Sequence, residues 1–198
     1  MEWSVTVYDK PGADRSAVRP QHVAAIPAAV NAGIVTSAGA IYQDVEKTKF
    51  AGSTFHLIAN SKEEIIEFLK KDIYYEKGIW DIDSVVAHPL GLAVRKQKDM
   101  PGWTVIIYDK PGADRTPTLE QHLAAIPATV KAGIVTSAGP IFHDVERTKF
   151  AGSAFNLVAN SKEEILEFLK KDIFYQSGVW DIDSVIAHPM VVGVRKQK

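Results

Sequence analysis

The chain has 198 residues, a formal net charge of −1, and charges of both signs spread along its length, with no basic stripe of the kind that binds nucleic acid. It contains no cysteine, which excludes disulfides, thiolate metal sites and a cysteine nucleophile. No apolar run approaches the roughly 18 residues of a membrane span, and the N-terminus MEWSVTVYDK reads as a strand, so a soluble cytoplasmic protein is expected.

An internal repeat organises everything else. Residues 3–98 align with 103–198 without a gap, and 28 of the 96 positions differ. The expected division is one repeat over 1–98, a linker over 99–102 within the polar stretch KQKDMPGW, and a second repeat over 103–198.

In chain order, WSVTVYD at 3–9 is β-rich and predicts a strand, followed by the turn Asp9-Lys10-Pro11-Gly12. A helix then starts between Ser16 and Pro20; in the second copy Thr116 followed by Pro117 suggests an N-cap with proline at N1. Val23, Ile26 and Val30 form an apolar stripe at helical spacing, Pro27 is expected to kink the helix or loosen one turn, and Gly33 to stop it. A strand over 34–42 ending in an open loop, and another over 50–59, come next. Ser61 and Glu64 form a capping box for a second helix that turns Ile65, Phe68 and Leu69 inward and ends near Asp72. An irregular segment at 73–80 leads to a last strand at about 81–95. The order β-α-β-β-α-β predicts a ferredoxin-like α+β unit with both helices on one face of an antiparallel sheet. Its opposite face needs cover, and two such sheets packed face to face provide it, so an intrachain pseudo-dimer of the two repeats is expected.

Few residues carry chemistry. His22 borders the apolar stripe and should point inward, with Arg19 three residues earlier on nearly the same face. A neutral inward histidine can act as a general base; equally, it can be a core histidine satisfied by one hydrogen bond. Asp72 could orient His22 or share acid–base work, or simply cap backbone donors where the second helix ends. His122 and Asp172 repeat both. His88, before Pro89, recurs as His188 and reads as an edge or interface residue. Asp81 and Asp83 recur as Asp181 and Asp183 and look like turn residues; no third ligand accompanies them, so no metal is expected. Nucleotide, zinc-protease and serine-hydrolase fingerprints are absent, and no cofactor is expected.

The ordered set of an R-x-x-H helix start, a glycine stop, a T-x-x-G loop, a strand with A-G-S, a second helix ending in Asp and then G-I/V-W resembles the YciI-like (YCII-related) family, particularly its fungal members, over nearly all of each repeat. The resemblance implies a dimeric α/β barrel and an active site using a His and an Asp, which here are His22 with Asp72 and His122 with Asp172. Within the family, one branch performs a cofactor-free dehydrochlorination of an aromatic ring. Three departures stand out: Asp72 and Asp172 are followed by Ile where the family often has Pro, the loop Gly-Pro survives as Gly139-Pro140 but is Gly39-Ala40 in the first copy, and Arg19 becomes Leu119. Two expectations compete. One is a cofactor-independent lyase or isomerase acting on a small anionic or aromatic carbonyl compound, with His22 as base, Asp72 as its partner and Arg19 as the substrate clamp. The other is a non-catalytic binding, accessory or structural barrel. Further association into a homo-oligomer is left open.

Overall fold

The structure, a computed structural model, describes residues 1–95 and 102–195. The first half runs β1 (Glu2–Asp9), α1 (Arg19–Asn31), β2 (Val35–Tyr42), β3 (Phe50–Ile58), α2 (Lys62–Leu69), α3 (Ile73–Glu76), β4 (Trp80–Pro89) and β5 (Val94–Arg95). The second repeats the plan as β6 (Gly102–Tyr108), α4 (Leu119–Lys131), β7 (Val135–Phe142), β8 (Phe150–Leu157), α5 (Lys162–Lys170), α6 (Ile173–Gln176), a 3₁₀ turn at Ile182–Ser184 and β9 (Ile186–Arg195). Of the linker expected at 99–102, Gly102 already belongs to β6 and the rest lies outside the described residues.

The nine strands form one antiparallel sheet in the order β4-β1-β3-β2-β9-β6-β8-β7-β5. Its first and last members are consecutive pieces of one segment, so the sheet closes into a barrel. β4 pairs with β1 as far as Pro89 opposite Trp3; Leu90 then bridges to Ile141, and Val94 lies opposite Ala138 of β7. β9 makes the same transfer: Ala187 and His188 pair with β6, whereas Val191 to Arg195 pair with β2. The halves therefore join edge to edge through backbone hydrogen bonds, not only face to face as the sequence suggested. Each half alone would leave two strand edges unpaired, and closure removes both.

Alternation along the strands sorts the two faces. Trp3, Val5, Val7, Phe55 and Leu57 turn outward and are covered by Ile65, Leu69 and Tyr74, with a matching cluster in the second half. The residues between them turn into the barrel, where Leu90, Ile106, Ile141, Ala151 and Ala154 pack together, as do Ile41, Ala51 and Met190.

Several local expectations change. Val23 is 45% exposed and its counterpart Leu123 49%. α1 docks through His22, Ile26, Ala29 and Val30, a face one position round from the expected stripe, and His22 is its buried member. α1 spans Pro27, and Gly33 stops it as expected, at φ +78°, a conformation that favours glycine. α4 begins at Leu119, not at Pro117: the Thr116 N–H donates to the Asp114 carboxylate in a turn, and the N-cap Thr118 makes no side-chain cap. The segment after α2 is not irregular, because Asp72 starts the short helix α3. Gly39 of the T-x-x-G motif sits within strand β2, not in a loop. There β9 passes so close that a β-carbon would collide with the Val191 carbonyl oxygen.

Candidate functional site

Two elements bring His22 and Asp72 together. His22 lies in the first turn of α1, and its ring is buried between the helix and the sheet. Asp72 lies three residues past the end of α2, in an extended conformation that aims its side chain back along α3, where Oδ1 accepts the Tyr74 N–H at 2.8 Å. The same carboxylate meets His22 Nδ1, at 2.9 Å to Oδ1 and 2.7 Å to Oδ2. A carboxylate only accepts, so Nδ1 carries the proton, and the tautomer of the neutral ring that makes this bond has its lone pair on Nε2. Among the described residues Nε2 has no hydrogen-bond partner, and the side chain keeps 10% of its surface exposed. Tyr74 stacks on the imidazole at 4.0 Å, and Trp80 meets it edge-on at 5.6 Å. The ring is thus fixed in plane, tautomer and depth. The second half repeats the arrangement: His122 Nδ1 lies 2.9 Å from both oxygens of Asp172, and Phe174 stacks on it at 4.0 Å.

His22 stands between two spaces. On one side a cleft of about 460 Å³ runs between α1, β2 and the α2–α3 corner, bordered by Ala25, Ala28, Phe68, Asp72 and Trp80. The buried indole N–H of Trp80 has no hydrogen-bond partner among the described residues. On the other side is a cavity of about 80 Å³ lined by Arg15, Arg19 and Tyr74 and walled by Val191 and Gly193 of β9. Arg19 forms no ion pair among the described residues; its guanidinium lies 5.9 Å from the Phe50 ring centre. Burial raises the Tyr74 hydroxyl above its ordinary value of 10.0, while Arg15 and Arg19 pull it back down, which puts that hydroxyl in the field of both cations.

Sequence reasoning missed Arg15 and Asp9. Arg15 is 3% exposed, donates to both carboxylate oxygens of Asp9 at 2.6 Å, and lies over the Phe50 and Tyr74 rings. Arg115 and Asp109 do the same in the second half. The available signal was the pair of opposite charges bracketing the Pro-Gly turn in DKPGADR, a turn that folds the chain back on itself.

Other candidates fall elsewhere. His88 and His188 are not at an edge: they point into the barrel, where His88 Nε2 accepts from the Tyr108 hydroxyl at 3.1 Å and His188 Nε2 from Tyr8 at 3.2 Å. Each bond joins one half to the other, and burial holds both imidazoles below their ordinary value of 6.5. The Asp81 carboxylate accepts the Asp83 N–H in a local turn, as Asp181 does from Asp183. No three His, Asp or Glu gather as a metal cluster among the described residues. No helix among them is long and apolar enough to cross a membrane.

Compared with models of known protein families, the chain matches none. It is similar to fungal proteins over about the length of one repeat. Aspercryptin biosynthesis cluster protein B of Emericella nidulans is 34% identical over 101 residues, 48% of this chain and 65% of that protein, so the chain spans slightly under two thirds of that relative. Fusaric acid biosynthesis protein 2 of Gibberella fujikuroi is 37% identical over 93 residues, 44% of this chain and 89% of that protein. Among solved structures, a chlorite dismutase variant from Candidatus Nitrospira defluvii is 11% identical and shares the fold across 96% of this chain and 91% of its own, with a TM-score of 0.57. The barrel is thus a known architecture, and with most of the Gibberella protein matched at that identity, the chain belongs to the family of fusaric acid biosynthesis protein 2.

Proposed function

We propose that the protein is a YciI-like enzyme of the lyase or isomerase type that needs no cofactor. It abstracts a proton from, or eliminates across, a small anionic or aromatic carbonyl compound in the cytoplasm. The observation that carries this reading is the His22–Asp72 pair, 2.7 Å apart at the edge of a cleft of about 460 Å³, a size suited to a metabolite. Asp72 holds the proton on Nδ1, leaving Nε2 to accept one from the substrate. Arg19, which lines the smaller cavity on the other side of His22, is the candidate partner for the substrate's anionic group, and the apolar side chains of Phe55, Phe68 and Trp80 line the cleft itself. A positioned base contributes about 10²–10⁴-fold, enough for a C–H already acidified by a neighbouring carbonyl. The 1–98 and 103–198 repeats each supply one such pair, with His122 and Asp172 in the second. The relatives' names, both from small-molecule biosynthesis, suit a substrate of this size.

A second reading, a barrel that binds an apolar ligand without chemistry, is favoured by the run of alanine side chains along the same cleft. Deuterium exchange separates the two. Phenolic and carbonyl acids are incubated with the protein in D₂O, and their C–H signals are followed by proton NMR. The enzyme reading expects exchange by the wild type and none by His22→Ala at unchanged circular dichroism. Exchange that survives in His22→Ala removes His22 from the mechanism, and ligand binding without any exchange supports the second reading.

A further inference from the structure

The cavities beside His22 and His122 occupy equivalent positions, yet their walls differ in one direction. Arg19 of the first is replaced by Leu119 in the second, and Tyr74 by Phe174. Tyr42, also in the first wall, corresponds to Phe142. Each exchange removes a polar group. The residue after Arg19 is Pro20, whereas Glu120 follows Leu119, so the helix start beside the pocket changes from one positive charge to one negative. The space changes too: about 80 Å³ beside His22 and about 210 Å³ beside His122.

The arginine common to both does not compensate. Arg115 donates to both oxygens of Asp109 and to the Ser153 hydroxyl, and is stacked on Phe150 and Phe174, so its charge is already matched in place. Arg15 is matched by Asp9 in the same way. Among the described residues that leaves Arg19 as the uncommitted cation of the first pocket, with the Tyr74 hydroxyl nearby, and none in the second. A carboxylate entering the second pocket would lose its hydration with nothing to replace it, whereas an apolar molecule gains by leaving water.

We propose that the two pockets have parted in ligand class. The first takes the carboxylate end of a small aromatic acid, held by Arg19 and the Tyr74 hydroxyl in a space of about 80 Å³ that leaves the ring outside it, and the second takes a neutral apolar molecule held against Leu119, Phe150 and Phe174. This rests on the reading of His22 and His122 as ligand-facing. The test uses the intact chain with ¹³C-labelled histidine, benzoate as the anionic probe and acetophenone as a neutral probe of similar size, reading the ring signals of His22 and His122 separately. Benzoate should move His22 at a concentration about tenfold lower than His122, the factor expected of one charge-assisted contact, and acetophenone should favour His122. Arg19→Leu should abolish the benzoate preference of His22 while leaving the acetophenone response of His122 intact, and Leu119→Arg should give His122 a benzoate response. Equal midpoints at the two histidines, or a benzoate response untouched by Arg19→Leu, overturn the divergence alone. Silence of both histidines toward both probes overturns the ligand-facing reading and the proposal with it.

Discussion

Asp72 serves two partners at once, the Tyr74 N–H that opens α3 and the His22 ring from α1. Its replacement by Ala strands both donors, so Asp72→Ala should destabilise the protein by about 2 kcal/mol in urea denaturation, the scale of hydrogen bonds to a charged group. Asp72→Asn can still cap α3 and should cost less, while losing the carboxylate that fixes the imidazole tautomer. At Gly39 the constraint is backbone against backbone. Gly39→Ala pushes a methyl into the Val191 carbonyl and should lower stability by about 1–3 kcal/mol, measured in the same way. His22 was legible in the sequence as an inward polar residue because helical spacing ties it to Ile26. Arg15 was not, because a loop residue six positions from its carboxylate has no period to betray it. The close approach at Gly39 was hidden for a related reason: it depends on a strand some 150 residues later, about which no local pattern speaks.

Helix ends were legible where a side chain or a glycine makes the signal. Ser61 accepts the Glu64 N–H, and Glu64 returns a bond to the Asn60 N–H, one residue before the partner of a standard capping box. Ser61→Ala should therefore cost about 1 kcal/mol, read as a lower denaturation midpoint at constant m-value. The face of α1 was harder to read. Ala24, Ala25, Ala28 and Ala29 are equally at home on either side, so the pattern of its few large residues tolerates a rotation by one position. Tertiary contact decided for the side carrying His22. α3 escaped notice because four residues are too few to show a helical period.

At the scale of the molecule, the ferredoxin-like order was legible from the succession of elements, whereas the manner of closure was not. Nothing local in 81–95 or 186–195 says that each segment changes partner halfway along. The consequence is a single cooperative unit, and unfolding should follow one transition by both fluorescence and circular dichroism. Resolution into two steps would show that the halves melt separately. The barrel interior adds a pH dependence. Burial holds His88 and His188 below 6.5 and raises Tyr8 and Tyr108 above 10.0. As pH falls below about 6.5, the unfolded chain binds protons that the folded barrel excludes, so stability declines. As pH rises through about 10, the unfolded chain releases phenolic protons that the folded one retains, and stability declines again. Urea midpoints across pH should form a plateau between these limits, with a shallower acid limb in the His88→Asn, His188→Asn double variant.

Closure of the ring within one chain also has a consequence for heredity. In a two-fold dimer of identical subunits, any codon change enters both pockets together, and a gain in one is bound to the same alteration in the other. Here the strands that join the halves are covalently assigned, and each pocket is encoded by its own set of codons. Positions 19 and 119, or 74 and 174, can therefore hold different residues, as they do here, and each pocket is free to change without altering the other.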